Sequence, residues 1–364
     1  MIEERNKKFW KIIKKESISP VAFLVINPKN IFYLTSFKGE GILLLTPEQN
    51  YLITDGRYTE QAEQEARHCK IMVQPLKESD AQTISLTALL AELKIDELGF
   101  ESDFLKVNKF LKYQQMLPQT KLLPFPDIIE TIRMIKDQSE ISLIQQAARI
   151  ADQAFRETLG NLATGVSELT LANELNCCIR KNGAIKEAFD IIVTSGERGS
   201  LIHGEPSDKK ITNDELIIID FGAVFGGYHS DCTRTVMLSE GKANNQQEKL
   251  FNLVKEVQLK TLEQIKAGVL CDEIDKYARE KFSEKGYGDY FQHSLGHGVG
   301  LDIHELPRLS SYSNTILEPN MVVTIEPGLY VPGIGGARLE DTVVVTESGC
   351  DILTTLPKEL MLSF

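Results

Sequence analysis

The feature that most constrains this chain is a pattern of acids and glycines that occurs twice. Ile219-Asp220-Phe221-Gly222 is followed by Gly226-Gly227 and, four residues on, by Asp231 with Thr235-Val236 behind it. Further along, Ile325-Glu326-Pro327-Gly328 is followed by Gly335-Gly336 and, again four residues on, by Glu340 with Thr342-Val343 behind it. Each copy reads as a β-hairpin with a Gly-rich connection that admits positive φ. Positions 220 and 231 are symmetric about a turn near Phe225–Gly227, which predicts that the two acids face each other across the ladder. Facing acids beside an arm such as Leu216-Ile217-Ile218-Ile219 repel each other and are costly to bury unless a cation compensates. A single such carboxylate is more simply a hairpin end at the solvent, but two matched pairs argue for a cation. The repetition also predicts an internally duplicated domain with approximate twofold symmetry.

The stretch Phe291 to Glu305 between the hairpins holds His293, His297 and His304, three of the six histidines. Gly296, Gly298 and Gly300 leave His297 presented by a segment poor in side chains. Four carboxylates and one imidazole form a hard oxygen and nitrogen donor set suited to Mn, Co, Fe or Zn, and four negative charges match two divalent cations. Two ions sharing a water make hydroxide available near neutral pH and polarise a carbonyl, so hydrolysis of an amide or ester is the expected chemistry.

A chain of 364 residues, 42% hydrophobic and 25% charged, has room for two domains. Its 40 basic and 52 acidic residues leave a formal charge of −12, which argues against nucleic-acid and anionic-membrane partners. The six cysteines form no C-x-x-C pair, and no secretory signal opens the chain, so a reduced cytoplasmic setting is expected. The longest apolar runs are strand-length and predict no transmembrane helix. Met1 to Glu16 opens as an amphipathic helix with Phe9, Trp10, Ile12 and Ile13 as its apolar positions.

Val21–Ile26, Gly41–Thr46 and Tyr51–Thr54 read as strands, and Arg57–Ala66 and Ile84–Leu93 as helices, which predicts an α/β first domain. Pro118, Pro124 and Pro126 interrupt helical patterning and place the boundary there, giving domains of residues 1–126 and 127–364. In the second domain, Ser139–Leu159, Ser167–Lys181, Gln246–Ala267 and Cys271–Lys285 show helical spacing between β-rich stretches. That pattern predicts an α+β unit with helices on one side of an antiparallel sheet.

Ile219 to Ala223 with Ser230 to Thr235, Gly296 to Pro307, Thr324 to Gly328 and Gly336 to Asp341 together resemble, in order and spacing, the "pita-bread" metallopeptidases. That group includes aminopeptidase P, prolidase and methionine aminopeptidase. Asn30 to Thr35 and Thr54 to Tyr58 resemble the N-terminal domain of its proline-directed branch. The resemblance implies a pita-bread catalytic domain with internal pseudo-twofold duplication, preceded by a smaller creatinase/prolidase-like α/β domain. It implies two divalent metal ions, Mn first and Co, Fe or Zn as alternatives, with Asp220 on one ion, Asp231 and Glu340 bridging both, and His297 and Glu326 completing the other. A bridging hydroxide would then cleave the Xaa-Pro bond of dipeptides or peptide N-termini. By position, His203 lines the substrate pocket, His304 stabilises the carbonyl oxygen as it becomes tetrahedral, and Arg338 orients a metal-binding carboxylate. A homodimer is implied as well.

His293 is a further pocket candidate, His229 reads as a solvent-side neighbour, and Cys232 should point into the core. Departures from the family pattern are Ile202, where relatives often have Pro, Asn320, where Gly is common, and Lys38-Gly39-Glu40, which lacks a usual Ser-Asn pair. The alternatives weighed are a methionine-type or general aminopeptidase, a metal-independent creatinase, and a non-catalytic binding module on the same fold.

Overall fold

Short apolar runs build the sheet of the first unit. In the computed structural model, which describes residues 2–16, 20–74, 81–160, 162–238 and 240–361, the strands are Ala22–Val25 (β1), Ile42–Leu45 (β2), Asn50–Asp55 (β3), Cys69–Gln74 (β4), Glu97–Glu101 (β5) and Lys121–Phe125 (β6). They form one six-stranded sheet in the order β4-β3-β2-β1-β5-β6. Every residue of β1 and β2 is buried, as continuous runs such as Ile-Leu-Leu-Leu require. The helices of this part of the chain are Ile2–Ile13 (α1), Pro28–Thr35 (α2), Thr59–Glu65 (α3), Ala81–Glu92 (α4), Val107–Met116 (α5) and Ile128–Arg133 (α6), the last ending at the unit boundary. The sequence reading passed over α2, although Asn27 caps it by accepting from Lys29 N–H and Pro28 opens its first turn. Pro124 sits in β6, an edge strand, where a missing N–H removes no ladder partner. The chain divides into compact units Met1–Ile132 and Arg133–Phe364.

The second unit repeats one plan. Helices Gln138–Leu159 (α7) and Glu168–Lys181 (α8) precede strands Lys186–Glu187 (β7), Ile192–Ser195 (β8), Ile217–Phe221 (β9), Ala223–Phe225 (β10), Tyr228–His229 (β11) and Cys232–Val236 (β12). Helices Asn245–Leu262 (α9) and Cys271–Glu284 (α10) then precede Gly296–Gly298 (β13), Glu305–Leu309 (β14), Val322–Ile325 (β15), Gly328–Val331 (β16), Gly335–Arg338 (β17), Asp341–Val345 (β18) and Cys350–Ile352 (β19). The pair β9/β12 with its continuation β10/β11 matches β15/β18 with β16/β17, which is the internal duplication. α7 and α9, the first helix of each half, both begin with a capping box, Asp137 with Glu140 and Asn244 with Gln247.

The pairings are antiparallel as expected, but the described strands fall into four sheets of three, three, five and two strands, not one. Each half has its own core. In the first, Phe155 of α7 stacks on Phe221 of β9 with ring centroids 4.9 Å apart, beside Leu171, Leu175 and Ile219. In the second, Val254 and Phe282 of α9 and α10 pack on Val323, Ile325 and Val343. Among the described residues, no helix is long and apolar enough to cross a membrane.

Register corrects one expectation. Asp220 lies opposite Thr233, not Asp231, and the same register carried on puts Asp231 opposite Gly222. The cause is the turn: Phe225 pairs with Tyr228, so the hairpin folds one residue later than the symmetric point between 220 and 231. Asp231 and Thr233 still share a face by strand alternation, which leaves the two acids as diagonal neighbours. Gly222 permits this close approach, since a Cβ there would lie 1.9 Å from the Ser230 carbonyl oxygen. In the second copy Ile325 pairs with Asp341 and Gly328 with Arg338, so Glu326 does lie opposite Glu340.

Candidate metal centre

The two copies meet along a seam of short hydrogen bonds. Glu340 N–H donates to the Thr233 carbonyl at 3.1 Å, Thr342 Oγ1 to the Asp231 carbonyl at 2.8 Å, and Arg338 N–H to Thr235 Oγ1 at 2.9 Å. Behind it the buried Arg234 guanidinium donates to Asp341 Oδ1 at 2.8 Å and to the Glu340 carbonyl at 2.5 Å. The hairpin ends carrying the acids are therefore locked together.

At this seam Asp231, His297 and Glu340 offer donor atoms that all lie within 4.8 Å of one another. His297 Nε2 is 3.5 Å from Asp231 Oδ2 and 3.4 Å from Glu326 Oε1. The His297 Nδ1–H donates to the Gly298 carbonyl at 3.0 Å, which leaves Nε2 as the bare nitrogen facing the acids. His297 N–H donates to Thr324 Oγ1 at 3.1 Å, and that hydroxyl donates to Glu326 Oε1 at 3.3 Å. Arg338 Nη2 donates to Asp220 Oδ2 at 2.6 Å and its Nε to Thr233 Oγ1 at 3.1 Å, while Thr233 donates to Glu340 Oε2 at 2.7 Å.

The remaining oxygens carry the decisive observation. Asp220 Oδ1, Asp231 Oδ1 and Glu340 Oε1 are buried and have no hydrogen-bond partner among the described residues. Burying an ionised carboxylate costs several kcal/mol, and a folded domain has only about 5–15 kcal/mol in hand. Without a cation Asp231, Glu326 and Glu340 answer by holding protons. Burial, then Glu340 and Asp220, push Asp231 well above the carboxylate range. Burial and the charges of Glu326 and Asp220 do the same to Glu340, and burial pushes Glu326 up to about 8. His297 is held neutral, its pKa brought down to about 3 by burial and by His304. Unpartnered hard oxygens around a neutral imidazole nitrogen, with no thiolate, are the donors that divalent ions require, so the residues present fit the expected metals.

Three other histidines surround these groups. The His304 ring stands edge-on to His297 with centroids 4.2 Å apart, and its pKa is lowered by burial. His293 Nε2 accepts from Tyr330 Oη at 2.9 Å, and Tyr330 Oη accepts from Arg338 Nη1 at 2.7 Å. Burial and the Arg338 charge bring His293 down to about 3. His203 is exposed, on the segment between β8 and β9, close enough to act electrostatically on both His293 and His304.

His229 is not at the solvent: it is 6% exposed, with its main-chain N–H donating to the Gly300 carbonyl at 2.8 Å and its Nδ1 at 3.1 Å from the same oxygen. Cys232 lies in the core, and burial pushes its thiol well above the usual value. Thr233, Thr324 and Tyr330 escaped the sequence reading. Their signal was the two-residue spacing from Asp231, Glu326 and Gly328, which places each on the same strand face.

Residues 142–347, more than half of the chain, match the model of metallopeptidase family M24, and residues 5–135 match the creatinase/prolidase N-terminal domain. The chain belongs to metallopeptidase family M24. Its fold is therefore a creatinase-type N-terminal domain followed by the M24 pita-bread domain, and the family is one of metal-dependent hydrolases. Similar M24 chains include an Xaa-Pro dipeptidase of Pyrococcus furiosus, 36% identical over 99% of this chain and 100% of its own. The structure of an Xaa-Pro dipeptidase from Bacillus anthracis matches with a TM-score of 0.94 at 39% identity, covering 100% of both chains. An X-Pro aminopeptidase from Thermotoga maritima matches with a TM-score of 0.88 at 37% identity, covering 96% of this chain and 100% of the other.

Proposed function

We propose that this M24 chain hydrolyses the Xaa-Pro bond of dipeptides or of peptide N-termini, using two divalent ions held by Asp220, Asp231, His297, Glu326 and Glu340. The observation that carries the metal centre is the trio of unpartnered buried oxygens on Asp220, Asp231 and Glu340. Two divalent ions held there, Mn first, would supply Lewis-acid chemistry that makes hydroxide available near neutral pH and polarises a carbonyl. The protein's own groups do the rest. Arg338 fixes Asp220 through its 2.6 Å bond, and His297 keeps Nε2 unprotonated because burial lowers its pKa. His304 donates to the carbonyl oxygen as charge develops on it. His203 and His293 approach the pyrrolidine ring, where a tertiary amide offers no N–H to bind and rigidity gives an advantage of orientation.

The full-length likeness to Xaa-Pro peptidases of both the dipeptide and the aminopeptide kind supports this substrate class. Kinetics on Ala-Pro against Ala-Ala, and on Ala-Pro-Ala against Ala-Ala-Ala, test it. The proline member of each pair should show the higher kcat/KM, whereas equal values would leave a general aminopeptidase. The homodimer implied by the family resemblance and the cytoplasmic setting expected from the sequence belong to the same proposal, and light scattering in solution checks the first.

A further inference from the structure

The segment 195–207 carries His203, yet beyond Ser195 at the end of β8 and a short 3-10 turn at Gly196–Ser200 it has no regular structure to hold it. Its shape is imposed from α8. Glu168, the first residue of that helix, has a side chain with 0% exposure. Its Oε1 accepts from Ser195 N–H at 2.8 Å and Ser195 Oγ–H at 2.9 Å. Its Oε2 accepts from Ser207 Oγ–H at 2.7 Å, Ser207 N–H at 3.2 Å and Arg198 Nε–H at 3.0 Å. These donors come from both ends of one segment. The start of the helix adds two main-chain bonds to the far end, from Glu168 N–H to the Lys209 carbonyl at 3.1 Å and from Leu169 N–H to the Ser207 carbonyl at 3.0 Å.

An acid in the first turn of a helix often only complements the helix dipole from the surface. Glu168 differs, because it is buried and its charge is satisfied by the segment's donors. Moving the segment would strip a buried carboxylate of them, which burial makes costly. The crown of the segment is held as well. A Cβ on Gly336 would lie 2.1 Å from the Gly199 carbonyl oxygen, so the segment packs directly on β17. Arg338 Nη1 reaches the Ile202 carbonyl at 3.5 Å while the same guanidinium holds Asp220 at 2.6 Å. On the other side of His203, Arg198 Nη2 donates to the Glu205 carbonyl at 2.6 Å.

We propose that Glu168 is a positioning residue: its carboxylate gathers both ends of the segment 195–207 and so sets where His203 stands relative to Arg338 and Asp220. This rests on the substrate role of His203 proposed above. Glu168→Gln keeps the volume but presents an amide nitrogen to N–H and guanidinium donors, and Arg198→Ala removes the clasp from its partly exposed side.

The test reads hydrogen exchange of the segment's amides, metal content, and Ala-Pro kinetics in single and double variants with His203→Ala. Exchange should rise in both Glu168→Gln and Arg198→Ala with metal content kept. The kcat/KM of Glu168→Gln should fall by roughly 10- to 100-fold, the loss that misplacing a positioned group brings, with a smaller loss for Arg198→Ala. In the His203→Ala background neither change should add a further loss. An additive loss there, an inert His203→Ala, or loosened amides with unchanged kinetics would each overturn the proposal. If Glu168→Gln does not fold, Arg198→Ala combined with Ser207→Ala carries the same cycle. A wild-type enzyme that cleaves Ala-Ala as well as Ala-Pro would remove proline selectivity alone, and the cycle read on Ala-Ala would still decide the role of Glu168.

Discussion

Thr233→Val isolates the hydrogen bonding around the proposed metal ligands from the ligands themselves. Thr233 is 0% exposed and valine has nearly its shape, so the change opens no cavity. It removes the hydroxyl that donates to Glu340 Oε2 at 2.7 Å and accepts from Arg338 Nε at 3.1 Å. A hydrogen bond to a charged group contributes about 1.5–3 kcal/mol. At about 1.4 kcal/mol per tenfold, that predicts a rise in the metal dissociation constant of roughly 10- to 100-fold. Competition with a chromophoric chelator measures it directly, and thermal unfolding of the metal-free protein shows whether the fold itself was weakened. A dissociation constant equal to the wild-type value in a folded variant would refute the reasoning. It would mean that Glu340 is held by the Thr233 main chain and the Arg234 guanidinium alone.

Asp231→Ala or Glu340→Ala should abolish both metal retention and turnover, and a variant that elemental analysis shows with full metal and that still turns over would exclude the bridging assignment. His304→Ala should lower kcat by roughly 10²–10³, the loss of one oxyanion donor, with metal content unchanged, whereas a rise in KM alone would make His304 a binding group. The metal-free protein should also show a distinctive pH profile. Glu326, raised from 4.5 to about 8, favours the fold while protonated, so its contribution is lost as pH rises through that value, and Asp231 and Glu340 act in the same direction. His293 and His297, lowered from 6.5 to about 3, act oppositely but only below 6.5. Between about 6.5 and about 8 the Tm of the metal-free protein should therefore fall as pH rises, and added metal should raise it most at the alkaline end. A flat profile in calorimetry would mean that the acids are already compensated by Arg338.

Much of this protein was legible in one dimension because the informative features repeat or alternate locally. Amphipathic spacing marked α7 to α10, apolar runs marked β1 and β2, and the doubled acid and glycine pattern singled out Asp220, Asp231, Glu326 and Glu340 before any geometry was known. What the sequence did not contain was who meets whom. The register of the first hairpin turned on a single residue in the placement of its turn, and it moved Asp231 from facing Asp220 to a diagonal position. His229 reads as a solvent-side neighbour in the sequence, but in the fold it is buried with its main-chain N–H and Nδ1 on the Gly300 carbonyl. Thr233 and Glu340 are 107 residues apart in the chain, Arg338 and Asp220 are 118 apart, and Glu168 is 39 from Ser207. A local pattern records the period of a strand or helix and the chemistry of each side chain. Which distant oxygen a hydroxyl or guanidinium will satisfy is decided only when the two halves close and burial forces every polar group to find a partner.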